Sequence, residues 1–527
     1  MLREVPCPSA RVTLARAALL AATGLGVLAC SRGADVALTK TEAEAPLPDV
    51  PVPPADGPKL LALADHTPIF ARPSRSAARL GELRFGALVA RSEEPFTRKD
   101  CVGGWYVVRP RGFVCAPDPD EPVALPGALP SRPRVDRPLP YRYGRAAVEG
   151  VPIYARLPTD EEQRAAEPDL DRWLARLDRD APSLGPSAND VPFDAQGRPS
   201  GPPVLLPGGD GVDGSSRRYA ATYFHFGDAS LPPLLLPGKI TESAKVGSLR
   251  RGTGVAIAGS VLAPTEQGAR RFGVTPDGRY VPTDRLKPAL ATTWHGLDLG
   301  TLGLPVAFAH KAETPTYALR KNQAIVGDDT YERRAPIGLT GRFRTVDGDR
   351  YEETRDGPWV RAKDVTVVVK RSKFPDFVKD GQKWIDIGLG TQTLIAYEGR
   401  KPVLATLISS GRDQLGDPAT GAAATPRGTF TLRSKHLVKD ADAREVGGAH
   451  ELNDAPWVLD VADGFAITGN YWSDPLGEPH GFHDVAVGPI DARRLFQWAA
   501  PELPEGWSAV QASADEPSGT TIVYVRP

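Results

Sequence analysis

Lys383-Trp-Ile-Asp-Ile387, Thr391-Gln-Thr-Leu-Ile-Ala-Tyr397 and Pro402-Val-Leu-Ala-Thr-Leu-Ile-Ser-Ser-Gly411 follow one another with only short turns between them. Each is an apolar run of strand length, rich in β-branched and aromatic residues and bounded by glycine or charge, and this predicts three consecutive β-strands. Downstream, Thr425-Pro-Arg-Gly-Thr-Phe-Thr-Leu432, Lys435-His436, Ala455-Pro-Trp-Val458 and Thr520-Thr-Ile-Val-Tyr-Val525 continue the strand text. Asp491-Ala-Arg-Arg-Leu-Phe-Gln-Trp498 reads as a short helix, and Pro504-Glu-Gly-Trp507 as a turn before the last strand.

This set of phrases, in this order over residues 375–527, resembles the L,D-transpeptidase catalytic-domain family. The resemblance implies a mostly-β sandwich or barrel with one or two short helices. It also implies a chemistry: a thiolate attacks a peptidoglycan stem-peptide carbonyl, and the acyl group passes from the thioester to an amine. A histidine acts as base and backbone N–H groups hold the oxyanion.

The family's reactive phrase falls between Tyr471-Trp472 and Asp491-Ala492-Arg493. A gapless reading places Phe482 on the base, His483 on a glycine and Asp484 on the nucleophile. Upstream, Thr468 stands where the family has a histidine before glycine, and Ser473 where a histidine follows Tyr-Trp. A second register uses His480-Gly481 as the family's His-Gly and puts Phe482 in the cysteine's place. Neither register supplies a thiol, because no cysteine follows Cys115. A carboxylate at the nucleophile position would give a mixed anhydride, poorly suited to controlled transfer. No catalytic residue is therefore expected, and Thr468, Ser473, Phe482, His483 and Asp484 are positions of a degenerate site.

Upstream, a phrase recurs: Thr67-Pro-Ile-Phe-Ala-Arg72, Val151-Pro-Ile-Tyr-Ala-Arg156 and Thr314-Pro-Thr-Tyr-Ala-Leu319. Its sequels contain glycine-marked turns and a closing aromatic strand, Trp105-Tyr-Val-Val, Gly278-Arg-Tyr-Val-Pro or Pro358-Trp-Val-Arg. Short strands so arranged predict three small β-barrels. They resemble bacterial SH3-like modules, expected at 59–120, 140–290 and 303–370. The middle one is interrupted over about 157–236 by a Pro/Gly-rich insert with one helix around Asp169–Leu177. The whole chain is thus expected to be mainly β, and 53 prolines and 53 glycines agree with many turns.

Residues 1–29 read as a lipoprotein signal peptide. Arg3, Arg11 and Arg16 precede an apolar run, Ala17 to Leu28, that is too short to span a bilayer. The run ends Val27-Leu28-Ala29-Cys30, which resembles a lipobox and implies lipidation of Cys30; the alternative is an ordinary signal with a chance cysteine. Ser31 after the cysteine favours the outer membrane by resemblance to sorting rules. Residues 30–58, with Pro46, Pro48, Pro51, Pro53 and Pro54, form a Pro/Ala-rich tether. Cys7 leaves with the signal, so Cys101 and Cys115 remain, as a hairpin disulfide permitted by export or as two buried thiols.

A formal net charge of −1, with both signs mixed throughout, gives no electrostatic case for nucleic acid. Three functions stand beside one another. One is a pseudoenzyme that binds peptidoglycan or supports an active cell-wall enzyme. Another is an enzyme with replaced, non-thiol chemistry around His480, His483 and Asp484. The last is a structural lipoprotein whose SH3-like modules do the binding. No HExxH-like or CxxC spacing supports a metal, and no cofactor is expected.

Overall fold

The strand text that opens the C-terminal domain is apolar on both sides of the chain, and its packing explains why. Lys383–Gly388, Thr393–Glu398 and Lys401–Leu407 form an antiparallel ladder, with Trp384 opposite Tyr397 and Ile385 opposite Ala396. Ile522–Arg526 joins parallel to the first strand, and Gly428–Thr431 closes that edge. One face of this sheet carries Ile385, Ile387, Leu394 and Val523 into the main core. The other face carries Trp384, Ile395, Tyr397 and Leu407 against Leu299, Val306, Phe308 and Phe374 from the upstream segment. A sheet covered on both faces needs continuous apolar runs where a half-exposed one would alternate.

The computed structural model describes residues 49–62, 64, 66–116, 133–179, 234–236, 244–265, 268–289, 291–441, 451–462, 464–512 and 519–527. The signal segment with Cys7 and Cys30, most of the tether, and most of the insert lie outside the described residues. From Pro48 onward the chain gathers into one unit.

The second layer of the C-terminal sandwich is Ser434–Ala441 paired with Leu452–Ala462, followed by Phe465–Gly469 and the parallel strand Val485–Val487. Leu437, Trp457, Leu459, Phe465 and Ile467 meet the first sheet in the shared core, and the helix Pro489–Trp498 adds Ala492, Leu495 and Phe496. The C-terminal fold is thus mostly β, with one α-helix and one 3-10 turn, Pro418–Thr420, among the described residues, as its text predicts.

Sequence periodicity could not show that this second sheet continues into the upstream segments. On one side Ala509–Gln511 pairs with Arg79–Leu83, which leads through Thr67–Phe70 to Phe113–Cys115 and Trp105–Val107. On the other side Leu452 pairs with Gly254, and the sheet runs on through Gly254–Ile257 and Arg142–Ala146 to Leu286–Pro288. Gly81 permits the first junction, because a Cβ there would lie 2.3 Å from the Ala509 carbonyl oxygen. Arg84 pairs across it with Asp454, and Trp507 enters the core of the first segment. Among the described residues no sheet closes on itself as a barrel.

The first segment contains the expected disulfide, Cys101–Cys115, with Cα atoms 5.9 Å apart. In the insert, the expected helix spans Leu170–Arg179. A second helix, Asp160–Ala166, was not anticipated. Its signal is a capping box, with the Thr159 hydroxyl accepting from the Glu162 N–H while the Glu162 carboxylate accepts from the Thr159 N–H.

Candidate functional site

The strand Phe465–Gly469 and the short strand Val485–Val487 lie side by side, Thr468 opposite Ala486. Between them the chain makes one excursion, residues 470–484, and this excursion carries Ser473, Phe482, His483 and Asp484, four of the five positions that the sequence resemblance singles out. It is stitched to the segment after Lys401–Leu407. Ser409 and Ala486 exchange two backbone hydrogen bonds of 2.9 Å, the His480 and Gly481 N–H groups donate to the Ser410 carbonyl at 2.8 and 3.0 Å, and the Arg412 N–H donates to the Gly481 carbonyl at 3.0 Å. Gly411 is required for this closeness, since a Cβ there would sit 2.4 Å from the Phe482 carbonyl oxygen.

A cleft opens along this seam in two lobes. The inner lobe, about 20 Å³, is lined by Ser409, Thr468, Asn470, Ser473, His480 and Asp484 among others. That is room for one water. The outer lobe, about 180 Å³, lies against Lys439, Asp440, Asp460, Phe482, His483 and Asp484. Thr468, Asp484 and Ala441 line both. Thr468, Ser473, Phe482, His483 and Asp484 therefore all reach one cleft.

Each is held by its own surroundings. The Asp484 carboxylate accepts from the Ala466 backbone N–H at 2.8 Å, which ties it to the neighbouring strand. Thr468 is 3% exposed within its strand. Asn470, equally buried, organises the start of the excursion: its Oδ1 accepts from the N–H groups of Trp472 and Ser473 at 3.1 and 2.9 Å, and its Nδ2 donates to the Ser473 hydroxyl at 3.0 Å. Phe482 and His483 stack obliquely with ring centroids 4.1 Å apart. Among the described residues no group of three His, Cys, Asp or Glu side chains is placed to share a metal ion.

The arrangement offers hydroxyls, carboxylates, one ammonium, two imidazoles and the aromatic rings of Phe465, Trp472 and Phe482 to a ligand. It offers no thiol, since the two cysteines in the described residues are bonded to each other. Ser409, Lys439, Asp440, Asp460 and Asn470 carry no signal in the sequence, because the separate segments that hold them come together only in the folded sheet. Lys439-Asp440 carries no distinctive signal, because the strand Ser434–Ala441 already holds Ser434, Lys435 and His436 beside its few apolar residues.

Asp491 of the Asp-Ala-Arg phrase belongs to the scaffold. It is fully buried, and its Oδ2 accepts from the Gly296 N–H at 2.8 Å and the Thr406 hydroxyl at 2.6 Å. Burial pushes its carboxyl pKa upward against the opposing pull of these two donors. It ties the helix to the first sheet and to the linker before the third upstream segment.

No family model matches the chain, and no curated protein matches it. Solved structures do. An L,D-transpeptidase from Xylanimonas cellulosilytica is 22% identical over 29% of this chain and 65% of its own, with a TM-score of 0.21. One from Enterococcus faecium is 18% identical over 30% of this chain and 55% of its own, with a TM-score of 0.21. One from Mycobacterium smegmatis is 17% identical over 43% of this chain and 92% of its own, also at 0.21. The chain thus spans under two thirds of the length of the first two. Over part of its length, this chain is similar in structure to L,D-transpeptidase domains.

Proposed function

We propose that this is an envelope lipoprotein whose C-terminal domain binds peptidoglycan, or scaffolds an active wall enzyme, without performing thiol chemistry. The observation that carries the reading is Asp484. It stands where the family resemblance puts the nucleophile, at the junction of both cleft lobes, with its carboxylate engaged by the Ala466 N–H. Acyl transfer of this kind needs a soft nucleophile with a pKa near neutral and a base to poise it. Asp484 and Phe482 supply neither. The cleft retains polar groups suited to a peptide, and the carboxylates of Asp440, Asp460 and Asp484 outnumber the Lys439 ammonium, which favours a ligand bearing a cationic group.

Lipidation of Cys30, attachment to the outer membrane, and SH3-like identity for the three upstream segments belong to the same proposal. Two of those segments share a strand, a 3-10 turn and a further strand, at Tyr280–Pro282, Thr283–Arg285 and Leu286–Pro288 and again at Trp359–Arg361, Ala362–Asp364 and Val365–Val368. This supports a common ancestry for them.

The test uses the full chain with purified sacculi and tetrapeptide muropeptides. Retention on sacculi is expected, weakened about tenfold in Ala441→Trp, which would fill both lobes. No cross-linked or trimmed muropeptide and no carbapenem adduct should form. Turnover above an empty-preparation control would refute the pseudoenzyme and promote replaced chemistry. Sacculus binding indifferent to Ala441→Trp would move the binding to the upstream segments.

A further inference from the structure

The wall of the inner lobe is the irregular stretch from Asn470 to Gly481, which contributes Asn470, Trp472, Ser473, Pro475, His480 and Gly481. On the cleft side it is seated by backbone bonds at its ends and middle: Asn470 N–H to the Val487 carbonyl and Gly477 N–H to the Ile408 carbonyl at 2.8 Å each, the two bonds to Ser410, and Arg412 N–H to the Gly481 carbonyl at 3.0 Å. From outside it is gripped by a residue more than a hundred positions upstream.

Arg334 sits in the turn between the strands Gln323–Tyr331 and Pro336–Val346 of the third segment, with φ +60° and 5% exposure. Its Nε donates to the Leu476 carbonyl at 3.0 Å, its Nη1 to the Asp474 carboxylate at 2.6 Å and its Nη2 to the Asp474 carbonyl at 2.9 Å. Trp294 Nε1 donates to the Arg334 carbonyl at 3.0 Å and fixes the turn from behind. Leu476, 3% exposed, packs with Leu299, Val306 and Phe308 at the same contact. The opposite end of the stretch is held by the middle segment, where Arg145 Nη1 donates to the Trp472 carbonyl at 3.2 Å and Tyr143 lies 4.1 Å from the Tyr471 ring.

We propose that Arg334 is a positioning residue for the cleft: its guanidinium fork fixes Asp474 and Leu476, so the third upstream segment sets how the cleft wall is seated and thereby regulates ligand binding there. Several donors in one rigid plane suit such a task, and a lysine ammonium cannot reproduce the three directions at once. The φ of Arg334, in the left-handed region, shows the surrounding turn holding the side chain's origin in a conformation that non-glycine residues adopt rarely. The regulatory half of the proposal rests on the reading of the cleft as a binding site. The positioning half does not.

The experiment is amide hydrogen exchange on the full chain, comparing Arg334→Ala, Arg334→Lys and Asp474→Ala with the unmodified protein. In Arg334→Ala the amides of Gly477, His480 and Gly481 should exchange about tenfold faster or more, while those of Trp384 to Ile387 stay within about twofold. Arg334→Lys should resemble the alanine variant, and Asp474→Ala, which keeps both carbonyl bonds, should show a smaller acceleration at the same amides. Unchanged exchange at those three amides in Arg334→Ala, or equal acceleration at both places, overturns the proposal. Should Arg334→Ala not fold, Arg334→Lys and Asp474→Ala decide on the same amides by the same criterion. A parallel sacculus pull-down separates the two readings. Local acceleration with sacculus binding weakened supports both halves, and acceleration with binding unchanged overturns the regulation. If neither protein binds sacculi, the functional reading has failed while the positioning role stands.

Discussion

Lys435 is 1% exposed in the second sheet of the C-terminal domain, an uncommon place for an ammonium. Its Nζ donates to the Ala499 carbonyl at 2.7 Å, just past the C-terminus of the helix Pro489–Trp498, and lies 4.6 Å from the Phe496 ring centroid. Desolvation first, and the Lys383 ammonium second, bring its pKa down to about 7 from 10.5. The unfolded chain therefore binds more protons than the folded one between pH 7 and 10.5. Stability from this group must rise with pH through that window and level off below it, where both states are charged and the burial cost is fully present. Three and a half pKa units correspond to about 5 kcal/mol at most, of which about 3–4 kcal/mol is released between pH 7 and pH 10. Lys435→Met removes the titration and loses the bond to Ala499, which is worth about 1–3 kcal/mol. The substitution should then stabilise the protein at pH 7 by about 1–3 kcal/mol and be neutral or destabilising at pH 10. The assay is denaturant unfolding of both proteins at half-unit pH steps, followed by tryptophan fluorescence. A difference between the two proteins that does not change with pH would refute the reasoning, since packing effects alone are insensitive to pH.

The Arg84–Asp454 pair joins the first segment to the C-terminal sheet, and burial raises the Asp454 carboxyl to about 6 despite Arg84. Arg84 lowers the Asp454 pKa, so Arg84→Ala should raise it above 6, keep the carboxyl protonated at pH 7 and cost about 1–3 kcal/mol there, with the loss shrinking as pH falls through about 6, where Asp454 of the unmodified protein becomes neutral too; thermal unfolding at pH 5 and pH 7.5 measures it. At the other end of the chain, Cys30→Ala should yield protein that no longer fractionates with membranes. Membrane retention of that variant, or a mature N-terminal mass without lipid, would exclude the lipobox reading.

How much of this was legible beforehand differs by level. The strands Lys383–Gly388, Thr393–Glu398 and Ile522–Arg526 and the helix at Asp491 were readable, because apolar runs of strand length and helical spacing are local signals. The absence of a thiol after Cys115 was also readable, by counting, and it limits the chemistry in any register. The hairpin pair Cys101 and Cys115 was close enough along the chain to be recognised. What tertiary structure alone decided is which distant residues share a surface. Lys439, Asp440 and Asp460 meet Asp484 only after two strands pair, and Glu82 faces Ala509 only because Gly81 leaves room for a junction. Arg334 gave no signal as part of a repeat-like hairpin, since an arginine in a turn reads as a solvated charge until the partner stretch folds over it. Sequence patterns record periodic burial along a chain, whereas contacts between segments depend on the relative placement of whole sheets, and no local period encodes that.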